Sequence, residues 1–139
     1  MSSKGRKYKT GFTLVEVMIV LFIILSIAGS AVLAYGTYLE NSKKKTTQMY
    51  ISTLATAIKL FNVNVGRHPS GLQDLADCPS GVDPNKWGGP YVEVLKLADP
   101  WQNEYRYISP GQHKKDFDVW SVGPDGQDGT EDDIGNWSN

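Results

Sequence analysis

Apolar residues are gathered toward one end of this 139-residue chain. From Phe12 to Ala34 nearly every residue is apolar or small, and Glu16 is the one ionisable group. As a helix these 23 residues would reach about 35 Å, enough to cross the hydrocarbon core of a bilayer. Beyond Ala34 polar residues enter, yet the period persists: Ile51, Leu54, Ile58 and Phe61 follow one another at alternating steps of three and four. That spacing draws a single stripe on an amphipathic helix. Gly36 and the Asn41-Ser42 pair are its weak points, and Gly66 followed by Pro69 is its stop signal, so one helix is predicted from about Phe12 to Val63.

Such a stripe needs cover, and the chain after Gly66 has to supply it. Gly71 to Leu75 predicts a short helix, and Trp87-Gly88-Gly89-Pro90 predicts a turn. Two strands are predicted. One runs from Gln102 to Ser109, with Tyr105 and Tyr107 on one face. The other runs from Asp116 to Val122, with Phe117 and Val119 on one face and Trp120 and Val122 nearer the other. Pro110-Gly111 between them predicts an antiparallel pair joined by a loop of five or six residues. The expected fold is therefore α+β: a long N-terminal helix packed, through its second half, on a small antiparallel sheet.

Charge changes this picture at both ends. Net charge is −1, but Lys4, Arg6, Lys7 and Lys9 precede the apolar run, whereas Asp116 to Asn139 holds seven acidic residues and no Lys or Arg. The basic end is too short for a nucleic-acid patch, and no other basic cluster is interleaved with aromatics. Lys43 to Lys45 lie beyond the apolar run and nearly balance the four cations before it, so charge alone only weakly orients a membrane span. A secretory signal peptide also has a basic start and an apolar middle. Its apolar region is usually shorter, about 7–15 residues, and lacks a carboxylate near its beginning.

Candidate chemistry is sparse. Cys78 is the single cysteine, which rules out an internal disulfide, and His68 and His113 do not stand at zinc-site spacing from it, so a partly buried thiol is expected. There is no nucleophile elbow, phosphate loop or His-rich metal motif, and no enzymatic activity is expected. Trp87, Trp101, Trp120 and Trp137 could form a carbohydrate-stacking surface, but aromatics in a small domain with few aliphatics are expected to build its core.

Two constellations remain. In the first, Lys7-Tyr8-Lys9-Thr10-Gly11 abuts Phe12-Thr13-Leu14-Val15-Glu16, which places a carboxylate at the fifth residue of the apolar helix. A carboxylate within a bilayer costs about 2.5–3.5 kcal/mol on insertion scales unless it is paired or reaches the interface. In the second, Asp125, Asp128, Glu131, Asp132 and Asp133 crowd into nine residues punctuated by glycine. Calcium takes six to eight oxygens in flexible geometry, which such a loop could provide, although the pattern is neither an EF-hand nor an RTX repeat. The other reading is an acidic, solvated tail.

The first constellation resembles the prepilin signature of type IV pilins and pseudopilins. The tail, together with Asp99-Pro-Trp-Gln-Asn-Glu-Tyr105 and Ser109-Pro-Gly-Gln-His113, resembles the protein G family of type II secretion systems. The resemblance covers nearly the whole chain. It implies a leader peptide over 1–11, a membrane-spanning assembly helix over 12–35, its amphipathic continuation over 36–65, and a periplasmic globular region over 66–139. It implies cleavage between Gly11 and Phe12 by a prepilin peptidase, N-methylation of Phe12, and pairing of Glu16 with the Phe12 amine of a neighbouring subunit.

It further implies one calcium ion held by the side chains of Asp125, Asp132 and Asp133 with carbonyls near Val122 and Gln127, leaving Asp128 and Glu131 as solvated charges. A metal would then fasten a loop that many pilins fasten with a disulfide. The implied function is that of a repeating subunit of the pseudopilus, anchored by a single pass in the bacterial inner membrane and extending to push folded proteins through an outer-membrane secretin. The implied partners are copies of itself, minor pseudopilins, the prepilin peptidase and the inner-membrane assembly platform. A type IV pilin of a surface fibre, or an anchored calcium- or carbohydrate-binding module that never polymerises, are the alternatives. The chain departs from the family at Leu33, where a proline is usual.

Overall fold

The structure, a computed structural model, describes residues 11–93, 98–114 and 116–138. The basic residues Lys4, Arg6, Lys7 and Lys9 and all but the last residue of the expected leader lie outside the described residues.

One helix, α1, occupies Leu14–Val65. It begins two residues later than predicted because Thr13 caps it: the Thr13 hydroxyl oxygen accepts the Glu16 backbone N–H at 3.2 Å. It is assigned as helix through Leu33, Gly36 and Asn41, and Gly66 follows its last residue, as the stop signal predicted. The chain nevertheless divides after Glu40 into two compact units.

In the first unit every described side chain from Gly11 through Leu39 is exposed, although α1 is here long and apolar enough to cross a membrane. In the second, Ile51, Leu54, Ile58 and Phe61 are fully buried, so the stripe read from spacing is the core face of α1. Leu75, Trp87, Val92, Tyr105, Phe117, Val119 and Ile134 join it in one cluster. Aromatic rings carry much of the packing, with Tyr50 on Tyr105 at 5.1 Å, Phe61 on Tyr91 at 5.7 Å and Trp87 edge-on to Tyr91 at 5.9 Å between centroids. Burial, followed by the charge of Asp99, pushes the Tyr105 hydroxyl up to about 12, against the opposing hydrogen bond of Thr47.

The cover is built largely as expected. Leu72–Leu75 is a 3-10 turn. A short helix not anticipated from sequence, α2 (Pro84–Trp87), is capped by Asp83, whose carboxylate accepts the Asn85 N–H, and delivers Trp87 to the core. The sheet is antiparallel with three strands in the order β1-β2-β3: β1 (Arg106–Ile108), β2 (Asp118–Ser121) and β3 (Ile134–Gly135). Tyr107 stands opposite Val119 and Arg106 opposite Trp120.

Both predicted strands are shortened, each by a carboxylate that gathers backbone N–H groups. Residues 99–103 are drawn into a turn by Asp99, and the connection between Ile108 and Asp118 is longer than the five or six residues expected. Asp118 builds that loop: buried, it accepts backbone N–H groups from Gln112, His113 and Lys114 at 2.7–2.8 Å. Gly111 fits because a Cβ there would collide with the Lys114 carbonyl and lie 2.7 Å from Asp118 Oδ1. Val122, placed by alternation away from Phe117 and Val119, is also buried but lies outside the cluster that those two residues join.

Candidate functional site

The two constellations fall in different units and are described separately. In the first unit, Phe12 is 83% exposed and Glu16 stands one helical turn beyond it, with Val17, Val20 and Leu21 along the same shallow concavity. Thr13, Leu14, Val15 and Glu16 form a capping-box pattern, which is why Glu16 sits at the third helical position, where a carboxylate is favoured by the exposed N–H groups of the first turn. Among the described residues no cation pairs with the Glu16 carboxylate. Gly11 is exposed, so the expected scissile bond and the expected assembly carboxylate lie close together on open backbone and open helix.

In the second unit the acidic loop leaves β2 through Val122 and enters β3 at Ile134. Asp125, Asp132 and Asp133 each accept a hydrogen bond from within the loop. Asp125 Oδ1 accepts the Gln127 N–H at 2.8 Å. Asp132 Oδ2 accepts the Asp125 N–H at 3.2 Å, and its Oδ1 lies 2.6 Å from the Thr130 hydroxyl, which is also 3.3 Å from the Gln127 carbonyl. Asp133 Oδ2 accepts the Gly129 N–H at 2.8 Å. The Thr130 hydroxyl holds the Asp132 carboxyl below the ordinary carboxylate value, opposed by burial and aided by the Asp125 N–H. Asp125, Asp132 and Asp133, with the Val122 and Gln127 backbone, are thus brought onto one loop. Among the described residues, however, no three Asp, Glu, His or Cys side chains converge as a metal cage.

One atom is out of balance. Asp133 Oδ1 is buried and has no hydrogen-bond partner. A buried acceptor left unpaired costs about 1–3 kcal/mol, and more when charged. A hard cation would remove that cost, and the loop carries carboxylate and carbonyl oxygens on a glycine-punctuated turn, the donor type that calcium takes.

Asp128 is not the free charge that the sequence suggested. Its Oδ2 pairs with Arg106 at 2.9 Å and its Oδ1 accepts the Trp120 indole N–H at 2.8 Å. The cross-strand register of Arg106 and Trp120 places both beneath it, a relation that spacing alone does not reveal. Glu131 is exposed, as expected. The tryptophans divide: Trp87 belongs to the core and Trp101 packs on it. Trp120 and Trp137 instead lie beside the acidic loop, with Trp137 stacked on His113 at 3.9 Å. Cys78 is a partly buried thiol near the Val82 carbonyl.

The profile of the type II secretion system (T2SS), protein G, matches residues 34–137. The chain belongs to this protein G family. A prokaryotic N-terminal methylation motif matches residues 6–32, across the first constellation. Type II secretion system core protein G of Pectobacterium carotovorum is 39% identical over 137 residues, covering 92% of this chain and 84% of that protein. The Aeromonas hydrophila core protein G is 37% identical over 141 residues, covering 96% and 95%. Among solved structures, the major pseudopilin from the type 2 secretion system of enterohaemorrhagic Escherichia coli matches with a TM-score of 0.60 at 30% identity, over 73% of this chain and 87% of that one. The protein is a pilin-like structural subunit of the pseudopilus and not an enzyme, and its apolar N-terminal helix and methylation motif are those of a membrane-anchored secretion component.

Proposed function

We propose that this protein G polymerises through the first half of α1, with the amine of Phe12 in one subunit paired to Glu16 of the next. The observation that carries this is Glu16 itself: a carboxylate on an otherwise apolar, uncovered helix, one turn from the residue that becomes the terminus when the chain is cut after Gly11. Cleavage creates a positive amine at Phe12, and a carboxylate in lipid gains several kcal/mol from such a partner, enough to set the axial register between copies. The prepilin peptidase is the partner that would make the cut and methylate Phe12.

In this reading the chain is a single pass in the bacterial inner membrane with its C-terminal unit in the periplasm, which family membership and the N-terminal methylation motif support and to which charge adds only weakly. Copies of the chain, minor pseudopilins and the inner-membrane assembly platform are then its partners, and extension of the filament moves folded proteins toward the outer-membrane secretin. Calcium at the acidic loop, held by Asp125, Asp132 and Asp133 with the Val122 and Gln127 carbonyls, would replace repulsion among crowded carboxylates by attraction and so fasten the C-terminal end.

Expression of Glu16→Ala tests the assembly proposal. The variant should still enter the membrane and be cut after Gly11, while sheared or cross-linked filament falls by an order of magnitude or more relative to wild type. Normal filaments from Glu16→Ala, or a mature chain that begins elsewhere than Phe12, would refute the pairing.

A further inference from the structure

We propose that Asn103, braced by Asp99 and Ser121, is a positioning residue that sets the calcium affinity of the acidic loop by fixing Gly123 at its entry; the proposal rests on the calcium reading above. Asp99 is 3% exposed and Ser121 is fully buried. Asp99 Oδ1 accepts the backbone N–H groups of Trp101 and Asn103, each at 2.9 Å, and its Oδ2 accepts the Ser121 hydroxyl at 2.5 Å. The Ser121 oxygen in turn accepts the Gly123 N–H at 3.1 Å, while the Asn103 side-chain amide donates to the Gly123 carbonyl at 2.8 Å. Both polar groups of Gly123 are therefore held from outside the loop.

Gly123 matters because of what lies against it. Its φ is +68°, a conformation that favours glycine, and a Cβ there would stand 2.5 Å from the Asp132 carbonyl and 2.7 Å from Asp132 Oδ2. Asn103 Oδ1 also lies 3.4 Å from the place where a Cβ of Gly126 would be, so this one side chain borders both glycines that bracket Asp125. The loop's own carboxylates accept N–H groups that a cation would compete with, as at Asp125 and Asp132. Asn103 donates to backbone instead, and its bond persists whatever the carboxylates face. Partners of this outer kind fix the orientation of ligands, and losing one typically weakens metal binding about 10–100-fold.

The test is calorimetric titration of the full-length protein in detergent with calcium, beside thermal melts in chelator. Asn103→Ala should raise Kd about tenfold or more, while the calcium-free melt stays close to that of wild type because Asn103 is only half buried. Asn103→Asp should also weaken binding: it replaces the donating amide by an acceptor facing the Gly123 carbonyl. A purely electrostatic role would instead tighten binding through the added charge. Ser121→Ala, which keeps the Asn103 bond, should give a smaller rise. Unchanged Kd in both Asn103 variants, or a tighter Asn103→Asp, overturns the positioning role alone. A wild-type chain that takes up no calcium removes the calcium reading and this proposal with it.

Discussion

Phe22 and Phe61 lie on the same helix, yet Phe22 is 73% exposed and Phe61 is completely covered. The contrast holds along α1: Ile19, Ile23 and Ile27 are half or more exposed, whereas Ile51 and Ile58 are sealed. Both halves carry large apolar residues, and what separates them is how those residues are arranged. The later half confines its apolar residues to one stripe and carries Lys and Thr elsewhere, so residues after Gly66 can close over it. The earlier half is apolar on all sides, and no single covering layer within the second unit's small sheet could serve such a surface. Its burial comes from outside the chain, from lipid and from other subunits.

That comparison can be sharpened by measurement on the full chain in detergent. All four tryptophans lie after Asn41, so near-ultraviolet circular dichroism reports the second unit. Phe61→Ala should destabilise that signal by about 3–5 kcal/mol, while Phe22→Ala should leave it unmoved. An equal loss from both would break the division into a self-covered half and an externally covered half.

Asp118→Ala should cost about 3 kcal/mol at neutral pH, because three loop N–H groups lose their acceptor. Burial alone would raise the Asp118 carboxyl. The N–H donations of His113, Lys114 and Gln112 outweigh it, and the folded value lies below the ordinary 3.8. The contribution is therefore complete above that pH and is lost as the pH falls below it. Wild type and variant should converge in melts run at progressively lower pH, and a gap that persists in acid would assign the effect to packing instead.

Calcium at about a hundred times its Kd should stabilise the second unit by about 2.7 kcal/mol, and a chelator should remove that gain. Asp132→Ala should melt like the chelated wild type, and a melting curve indifferent to chelation would take the metal out of the account. Arg106→Ala should change stability by no more than about 1 kcal/mol, since both partners of the Arg106–Asp128 pair are 47% exposed. A larger loss would show that the pair braces the acidic loop through Trp120.

Much of this was legible in the chain. The spacing of Ile51, Leu54, Ile58 and Phe61 predicted the core face, and the residues around Gly11 and Phe12 lie within the matched N-terminal methylation motif. The antiparallel pairing was legible as well, whereas Trp87, read as the start of a turn, ends the helix α2 instead. What escaped was non-local. Spacing gives Asp99 and Asp118 no structural role, and only their burial under several N–H groups shows why both strands are short. β3 has two residues, too few for any periodic signal. The role of Asp128 depends on a register that brings Arg106 next to Trp120.

By itself, then, the amino-acid order determined the long helix, its apolar and amphipathic halves, and the lone acid at Glu16, because these depend on residues a turn or two apart. Only the tertiary structure decided which acids are structural, which oxygen of Asp133 is left without a partner, and what holds Gly123. Those depend on groups brought together from distant parts of the chain, where burial turns an ordinary carboxylate into one that must be satisfied.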